Sequence, residues 1–75
     1  MRDLVEYVAK ALADAPDEVQ VQERVGATTA ITLRVGPEDL GRVIGRQGKT
    51  IKALRTLVGA RARVEGRRVM LEILD

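Results

Sequence analysis

A pair of glycines enclosing two polar residues is the strongest constraint on the fold of this 75-residue chain. The pair is Gly45 and Gly48, within the segment VIGRQGKTI at residues 43–51. Glycine adopts positive φ angles and has no Cβ to keep another main chain at a distance. A helix that begins just after Gly48 directs unpaired N–H groups and the positive end of its dipole into the same space. The segment therefore predicts a tight turn between two helices that can accept a phosphate group.

Hydrophobic periodicity predicts a helix and a β-hairpin before this turn. Residues 3–14 carry an apolar stripe at helical spacing that faces a core, and Pro16 ends this helix. The stripe consists of Leu4, Val5, Val8, Ala11 and Leu12. Alternating residues predict strands over 18–25 and 28–35, which a turn at Gly26 connects. Their inward-facing residues are predicted to be Val19, Val21, Val25, Ile31, Leu33 and Val35.

Two further helices and a last strand are predicted in the second half of the chain. Pro37 begins a short helix that Gly45 ends, and Glu38 and Asp39 are predicted to be ordinary helix-start charges. Its apolar stripe is Leu40, Val43 and Ile44. A second helix follows over 49–62 and a strand over 67–74. The buried stripe of that helix is predicted to be Ile51, Leu54, Leu57 and Val58. Val69, Leu71 and Ile73 share one face of the strand.

The element order α-β-β-α-α-β predicts a single α+β domain over residues 1–75. A helix and a hairpin occupy residues 1–36, the two helices with the glycine turn occupy 37–62, and the last strand occupies 67–74. Three amphipathic helices can cover one face of a three-stranded sheet, so we expect the helices to pack on one face. The sequence contains no linker, repeat or low-complexity segment.

The basic residues concentrate around and after the glycine turn. Residues 1–37 contain four basic and six acidic residues, whereas residues 42–68 contain nine basic residues and one acidic residue, a net charge of +8. This asymmetry indicates a polyanionic partner, and a solvated basic face is the alternative interpretation. Tyr7 is the only aromatic residue, which excludes modules that stack bases on aromatic side chains.

The composition also limits the chemistry that is available to this chain. It contains no cysteine and no histidine, which excludes disulfides and the common zinc sites, and no cofactor is expected. Clustered carboxylates that could support catalysis are absent from the sequence, so we expect no enzymatic activity. No apolar run approaches the roughly 20 residues of a membrane span, and a signal-peptide core is lacking. We therefore expect a soluble, cytoplasmic domain.

Residues 43–51 resemble the signature of the KH domain family, [V/I]-I-G-x-x-G-x-x-I. The order of elements resembles the type II (prokaryotic) KH arrangement, and the resemblance covers essentially the whole chain. Residues 36–41 and 68–73 are also similar to those of small stand-alone bacterial KH proteins. The resemblance implies binding of single-stranded RNA. The loop main chain would clamp about four nucleotides, and the bases would lie in a groove between the paired helices and the adjacent strand.

The resemblance also implies a role for individual residues. Two glycines would allow close approach of the RNA backbone and three polar residues would face its phosphates: Gly45, Gly48, Arg46, Gln47 and Lys49. An apolar floor under the bases would consist of Val43, Ile44 and Ile51, for which a place in the core is the alternative. Helical spacing, rather than the motif, adds a charged rim of Arg42, Lys52 and Arg55. Simple solvation is an equally good interpretation of this rim.

The resemblance further implies protein partners and a cellular role. Proteins of this kind self-associate as dimers and pair with a larger KH protein that carries a second nucleic-acid-binding domain. They act as RNA chaperones or regulators linked to cell elongation and division, and thus to cell shape and cell-wall biogenesis. None of these properties follows from the residues themselves. A small core only makes a dimer physically reasonable.

Three other functions are compatible with parts of the sequence. A helix, glycine turn and helix also describe a duplex-DNA-binding helix-turn-helix, but Ile51 occupies a position where that motif needs a base-reading side chain. Gly48-Lys49-Thr50 resembles the end of a nucleotide-binding P-loop, but Val43 stands where that loop needs glycine. A protein-interaction module that does not bind RNA is the third possibility. The intact glycine turn and the basic residues around it argue against it.

Overall fold

A computed structural model describes residues 1–74, which form three helices and three strands in the expected order. The elements are α1 (Arg2–Leu12), β1 (Gln20–Arg24), β2 (Thr29–Arg34), α2 (Leu40–Ile44), α3 (Lys49–Val64) and β3 (Val69–Leu74). Single 3₁₀ turns precede β1 at Pro16–Glu18 and α3 at Arg46–Gly48. No helix within residues 1–74 has the length and apolar character needed to cross a bilayer.

The three strands form one mixed sheet in the order β1-β2-β3. β1 and β2 pair in antiparallel fashion, with Val21 opposite Leu33, which confirms the predicted hairpin. β2 and β3 pair in parallel, with Ile31 opposite Leu71. Parallel neighbours require a long crossover connection, and α2 and α3 supply it. The α+β prediction is therefore confirmed.

The core lies between the helices and one face of the sheet. Its side chains are almost all aliphatic: Val5, Ala9, Val19, Val21, Ile31, Leu33, Val35, Val43, Ile51, Leu54, Val58, Ala62 and Leu71. The opposite face of the sheet is open to solvent and carries mainly polar residues, among them Gln20, Gln22, Arg24, Arg34 and Glu72, together with the exposed apolar Met70. We refer to it as the open sheet face. Helices thus cover only one side of the sheet.

The first helix is rotated relative to the prediction. Its buried residues are Val5 and Ala9, whereas the predicted stripe members Ala11 and Leu12 are exposed. In this orientation Val5 and Ala9 pack in the core, and the Nε of Arg2 donates a hydrogen bond to the Val21 carbonyl at 3.0 Å. This bond ties α1 to the outer edge of β1. A periodic pattern cannot anticipate such a contact, because it depends on the neighbouring strand.

Val25 and Leu57, which were also predicted to face the core, are exposed. Val25 is 68% exposed because β1 ends at Arg24 and Val25 lies beyond the sheet. Leu57 is 49% exposed, and Ala62 takes its place in the buried stripe of α3. The helix also runs two residues further than the predicted end at residue 62, and a turn at Glu65 and Gly66 follows it.

Asp39 lies at the start of α2 as its N-cap residue, and its carboxylate has a further role that the sequence did not predict. Its residue is only 2% exposed, and its carboxylate accepts hydrogen bonds from the backbone N–H groups of Asp14 and Ala15, at 3.0 and 2.9 Å. Arg42 lies beside this carboxylate and pairs with Asp14 at 2.9 Å. The turn Pro37–Asp39 thus precedes α2, which begins only at Leu40. Asp39 therefore links the end of α1 to the start of α2.

This arrangement predicts an acid-sensitive contribution to stability. The hydrogen bonds from Ala15 and Asp14, aided by Arg42, lower the pKa of Asp39 below its ordinary value of 3.8, although desolvation opposes them. A lowered folded-state pKa gives stability that is complete above the unfolded pKa and is lost as the pH falls through the folded value. We expect Asp39→Asn to lower the Tm by roughly 5–10 °C at neutral pH and to flatten the acid-side decline.

Thermal melts followed by circular dichroism between about pH 2 and about pH 7 would test this expectation. Asp17→Asn is a matched control, because Asp17 is exposed in the 3₁₀ turn before β1. We expect this control to follow the wild-type curve. A curve for Asp39→Asn that runs parallel to the wild type at every pH would contradict the assignment.

Candidate nucleic-acid interface

The connection between α2 and α3 has an unusual backbone. Three of the four residues of the loop 45–48 have positive φ, with values of 80° at Gly45, 57° at Gln47 and 73° at Gly48. The Gly48 N–H donates a hydrogen bond to the Gly45 carbonyl at 3.0 Å and closes the turn. Arg46 and Gln47 are exposed between the two glycines. The loop thus presents a polar tip on a tightly turned main chain.

The two glycines meet different requirements. Gly45 combines φ 80° with ψ 169°, a region that is essentially restricted to glycine. A Cβ placed there would lie 2.7 Å from the Thr50 Cβ and 2.8 Å from the Thr50 backbone nitrogen. Gly48 has a left-handed conformation, but a Cβ there would touch only the Ile51 Cγ2 at 3.9 Å. The absence of a Cβ at Gly45 therefore allows the loop to pack against α3. At Gly48, glycine is favoured only because the backbone has a positive φ.

Unpaired positive charge surrounds this loop. Arg46, Lys49 and Lys52 are exposed, and within residues 1–74 they form no ion pair. The N-terminal end of α3 adds its positive dipole at the same place. Arg55 donates from Nε to the Leu71 carbonyl at 3.3 Å, on the outer edge of β3. The loop and the first turns of α3 thus form a cationic corner.

Arg42 belongs to a different part of the structure. Its guanidinium pairs with Asp14 at 2.9 Å and approaches Asp39 at 3.8 Å. It therefore helps to hold α2 against the end of α1, and its charge is partly neutralised there. Of the predicted rim, Lys52 and Arg55 lie on α3, and among residues 1–74 acidic partners engage only Arg42.

The predicted apolar floor divides between the core and the surface. Val43 is fully buried and Ile51 is 6% exposed, so both pack mainly in the core. Ile44 is half-buried next to Gly45 and offers the accessible apolar surface beside the loop. The structure thus does not bring Val43 to the surface. Val43 belongs to the core cluster against which Ile44 packs.

A shallow groove of about 370 Å³ lies between α3 and β3. It is lined by Arg55, Val58, Val69, Met70, Leu71 and Glu72. The residues from β3 were missing from the predicted site. The available sequence signal was the apolar character of Met70, which is 50% exposed although its neighbours on the strand point into the core. Aliphatic side chains and a strand edge thus border the cationic helix α3.

These features together define a class of protein. A helix–GxxG loop–helix crossover between parallel strands, with a preceding helix and hairpin, is the arrangement of a KH domain of type II. The chain belongs to the KhpA/KhpB KH-domain family, since the family model described as "KhpA/KhpB, KH domain" matches residues 2–73.

Similar proteins from several bacteria support this assignment. The RNA-binding protein KhpA of Clostridium acetobutylicum is 51% identical over 75 residues, which cover 99% of this chain and 100% of that protein. KhpA of Aquifex aeolicus is 50% identical and the alignment covers 100% of this chain and 96% of the relative. KhpA of Streptomyces coelicolor is 42% identical, and the alignment covers 100% of this chain and 92% of that protein. No solved structure matches the chain.

The unequal roles of the two glycines give a testable prediction. We expect Gly45→Ala to destabilise the fold by about 3 kcal/mol or more, because it adds a clash with Thr50 to an unfavourable backbone angle. Gly48→Ala should cost only about 1–2 kcal/mol, the usual penalty for a left-handed residue. Urea unfolding at neutral pH would measure both values. Equal losses in the two variants would show that the contact with Thr50 does not matter.

Proposed function

We propose that this protein binds single-stranded RNA, with the loop 45–48 as the clamp for the sugar-phosphate backbone. The observation that carries the proposal is the exposed Arg46-Gln47 tip of a loop in which Gly45, Gln47 and Gly48 have positive φ, next to the exposed Lys49. The relatives of this chain are named RNA-binding proteins, and these names support the same proposal. No catalytic step is part of this proposal.

The proposed mode of binding separates phosphate contacts from base contacts. Gly45 and Gly48 let the RNA backbone approach the main chain, while Arg46, Gln47 and Lys49 face the phosphates, and Lys52 extends the charge. The bases lie against Ile44 and the groove between α3 and β3, with Val43 and Ile51 beneath this surface. Few side chains are directed at base edges, so we expect low sequence specificity and strong salt dependence.

The structure also bears on the competing functions. A recognition helix reads a duplex with exposed residues of its first turns, whereas Ile51 in the first turn of α3 is nearly buried. A P-loop follows a strand, whereas the loop 45–48 follows helix α2. Both observations favour RNA over duplex DNA or a nucleotide. A protein-interaction module that does not bind RNA would leave the free cations around the loop without a role.

Reversing the charge of the loop tip tests the proposal directly. We expect the double substitution Arg46→Asp/Gln47→Asp to weaken binding of a single-stranded RNA at least about 30-fold, because it places negative charge against the phosphates. The fold should survive, since both side chains are exposed. Fluorescence anisotropy at fixed salt would measure the affinity, and circular dichroism would verify the fold.

A matched control introduces the same change of charge elsewhere. Gln22→Asp/Arg34→Asp lies on the open sheet face, where both residues are exposed. We expect a loss of affinity of no more than a few-fold, due to net charge alone. Equal losses in the two double variants would refute the clamp. A wild-type preference for duplex DNA of the same sequence would instead support the helix-turn-helix alternative.

The cellular role is proposed from the family. By resemblance to the stand-alone KH proteins, the chain acts in the cytoplasm as an RNA chaperone or post-transcriptional regulator linked to cell elongation and division. Crosslinking followed by sequencing of bound RNA in the native cell would identify its targets. Transcripts for cell-wall and cell-shape functions would be expected among them.

A second surface supports a role in assembly. Four apolar residues at helical spacing face outwards on α3: Ala53, Leu57, Ala60 and Val64. Leu57 and Val64 are 49% and 85% exposed. We propose that this stripe pairs with a second copy of the chain or with the KH domain of a larger KhpB-like protein. Burying such a stripe would extend a core that is small for a free-standing domain.

The stripe predicts the behaviour of a further variant. Leu57→Gln/Val64→Gln should shift the chain from dimer to monomer in sedimentation velocity, because it removes the apolar surface that the association would bury. Tyr7→Gln is the control, since Tyr7 is an equally exposed residue on α1, at 76%. This control should not change the mass. A wild-type chain that sediments as a monomer would show that the stripe does not mediate self-association.

A further inference from the structure

One face of α3 connects the loop to the far end of the molecule. Lys52, Arg55, Gly59 and Arg63 are spaced by three, four and four residues, and such positions lie along one face of a helix. The hydrogen bond from Arg55 to the Leu71 carbonyl shows that this face borders β3. The apolar stripe that contains Leu57 lies on the other side of the helix. We refer to the face from Lys52 to Arg63 as the α3 track.

Gly59 is an anomaly within this track. Glycine in a helix interior lowers helix stability relative to alanine. The φ of Gly59 lies outside the positive range, so its backbone does not require glycine. A Cβ at Gly59 would meet no atom within 4 Å, so packing does not require glycine either. The effect of glycine at this position is that no side chain stands on the helix surface between Arg55 and Arg63.

Arg63 provides free positive charge at the end of the track. It is exposed and forms no ion pair with any other residue in the range 1–74. By contrast, Arg61 and Arg67 both lie next to Glu65, at 2.9 and 3.8 Å. At 1.5 Å per residue, Arg63 lies roughly 21 Å along the helix from Lys49 at the loop. Cationic groups thus flank the bare surface at Gly59 on both sides.

We propose that bound RNA leaves the loop 45–48, passes over Gly59 and reaches Arg63. This inference rests on the proposed RNA-binding function and extends the footprint beyond the about four nucleotides that such a loop clamps. The missing side chain at Gly59 lets the sugar-phosphate backbone approach the helix, and the Arg63 guanidinium contacts a phosphate. Arg63 extends the line of positive charge that includes Lys52. This line of positive charge suits the phosphates of a nucleic acid better than a protein segment.

Matched substitutions on the two sides of the helix test the track. We expect Arg63→Gln and Gly59→Gln each to weaken binding of an oligouridylate of about twelve nucleotides by about five- to ten-fold. Arg61→Gln on α3 and Ala11→Gln on the exposed face of α1, which place the same side chain outside the track, should change the affinity by less than about two-fold. Glutamine forms helices better than glycine, so Gly59→Gln should not lower the Tm. Weaker binding at unchanged or higher Tm cannot result from unfolding.

The length of the RNA separates this inference from the proposed function. For an oligouridylate of about four nucleotides, Arg63→Gln and Gly59→Gln should bind like the wild type. Equal losses on both lengths, or equal effects of Arg63→Gln and Arg61→Gln, would overturn the track and leave the loop clamp intact. If Arg46→Asp/Gln47→Asp retained the affinity for both lengths, the clamp itself would fail.

Discussion

The parallel pairing of β2 and β3 is the constraint on which the rest of this structure depends. Parallel neighbours cannot be joined by a tight turn, so the chain must cross back over the sheet between Arg34 and Val69. Two helices provide this crossover and cover one face of the sheet. The loop 45–48 lies where the crossover changes direction, and α3 then returns along β3. The geometry of a crossover thus places a glycine loop, a cationic helix and a strand edge side by side.

A small number of polar contacts hold the short helix α2 in place. A helix of five residues has little stability of its own, and Val43 alone is fully buried in it. The Asp39 carboxylate joins its N-terminal end to the end of α1, and Arg42 adds an ion pair with Asp14. At the other end of α2, Gly45 lets the loop pack directly against Thr50. The position of the loop therefore depends on both ends of α2.

The structure gives different roles to cations that the sequence cannot tell apart. Arg2, Arg42 and Arg61 are engaged in ion pairs, two of them in contacts that fasten one element to another. Arg46, Lys49, Lys52 and Arg63 have no such partner within residues 1–74 and lie in the loop and along α3, whereas other cations without an ion pair, such as Arg24 and Arg34, lie on the open sheet face. Net charge alone could not separate these roles. The proposed course of the RNA is drawn from the cations of the loop and α3.

The sequence by itself determined the order of the elements, the hairpin and the glycine loop, because alternation, helical spacing and glycine chemistry are local properties. It also indicated a cationic site for a polyanionic partner near residue 48. Only the tertiary structure decided the rotation of each helix and the use of each charge. Ala62 rather than Leu57 is buried, and Asp39 at the start of α2 is a buried hydrogen-bond acceptor as well as a helix-start charge. These outcomes depend on which distant groups a side chain meets, such as the Asp14 and Ala15 amides, and no local pattern encodes that.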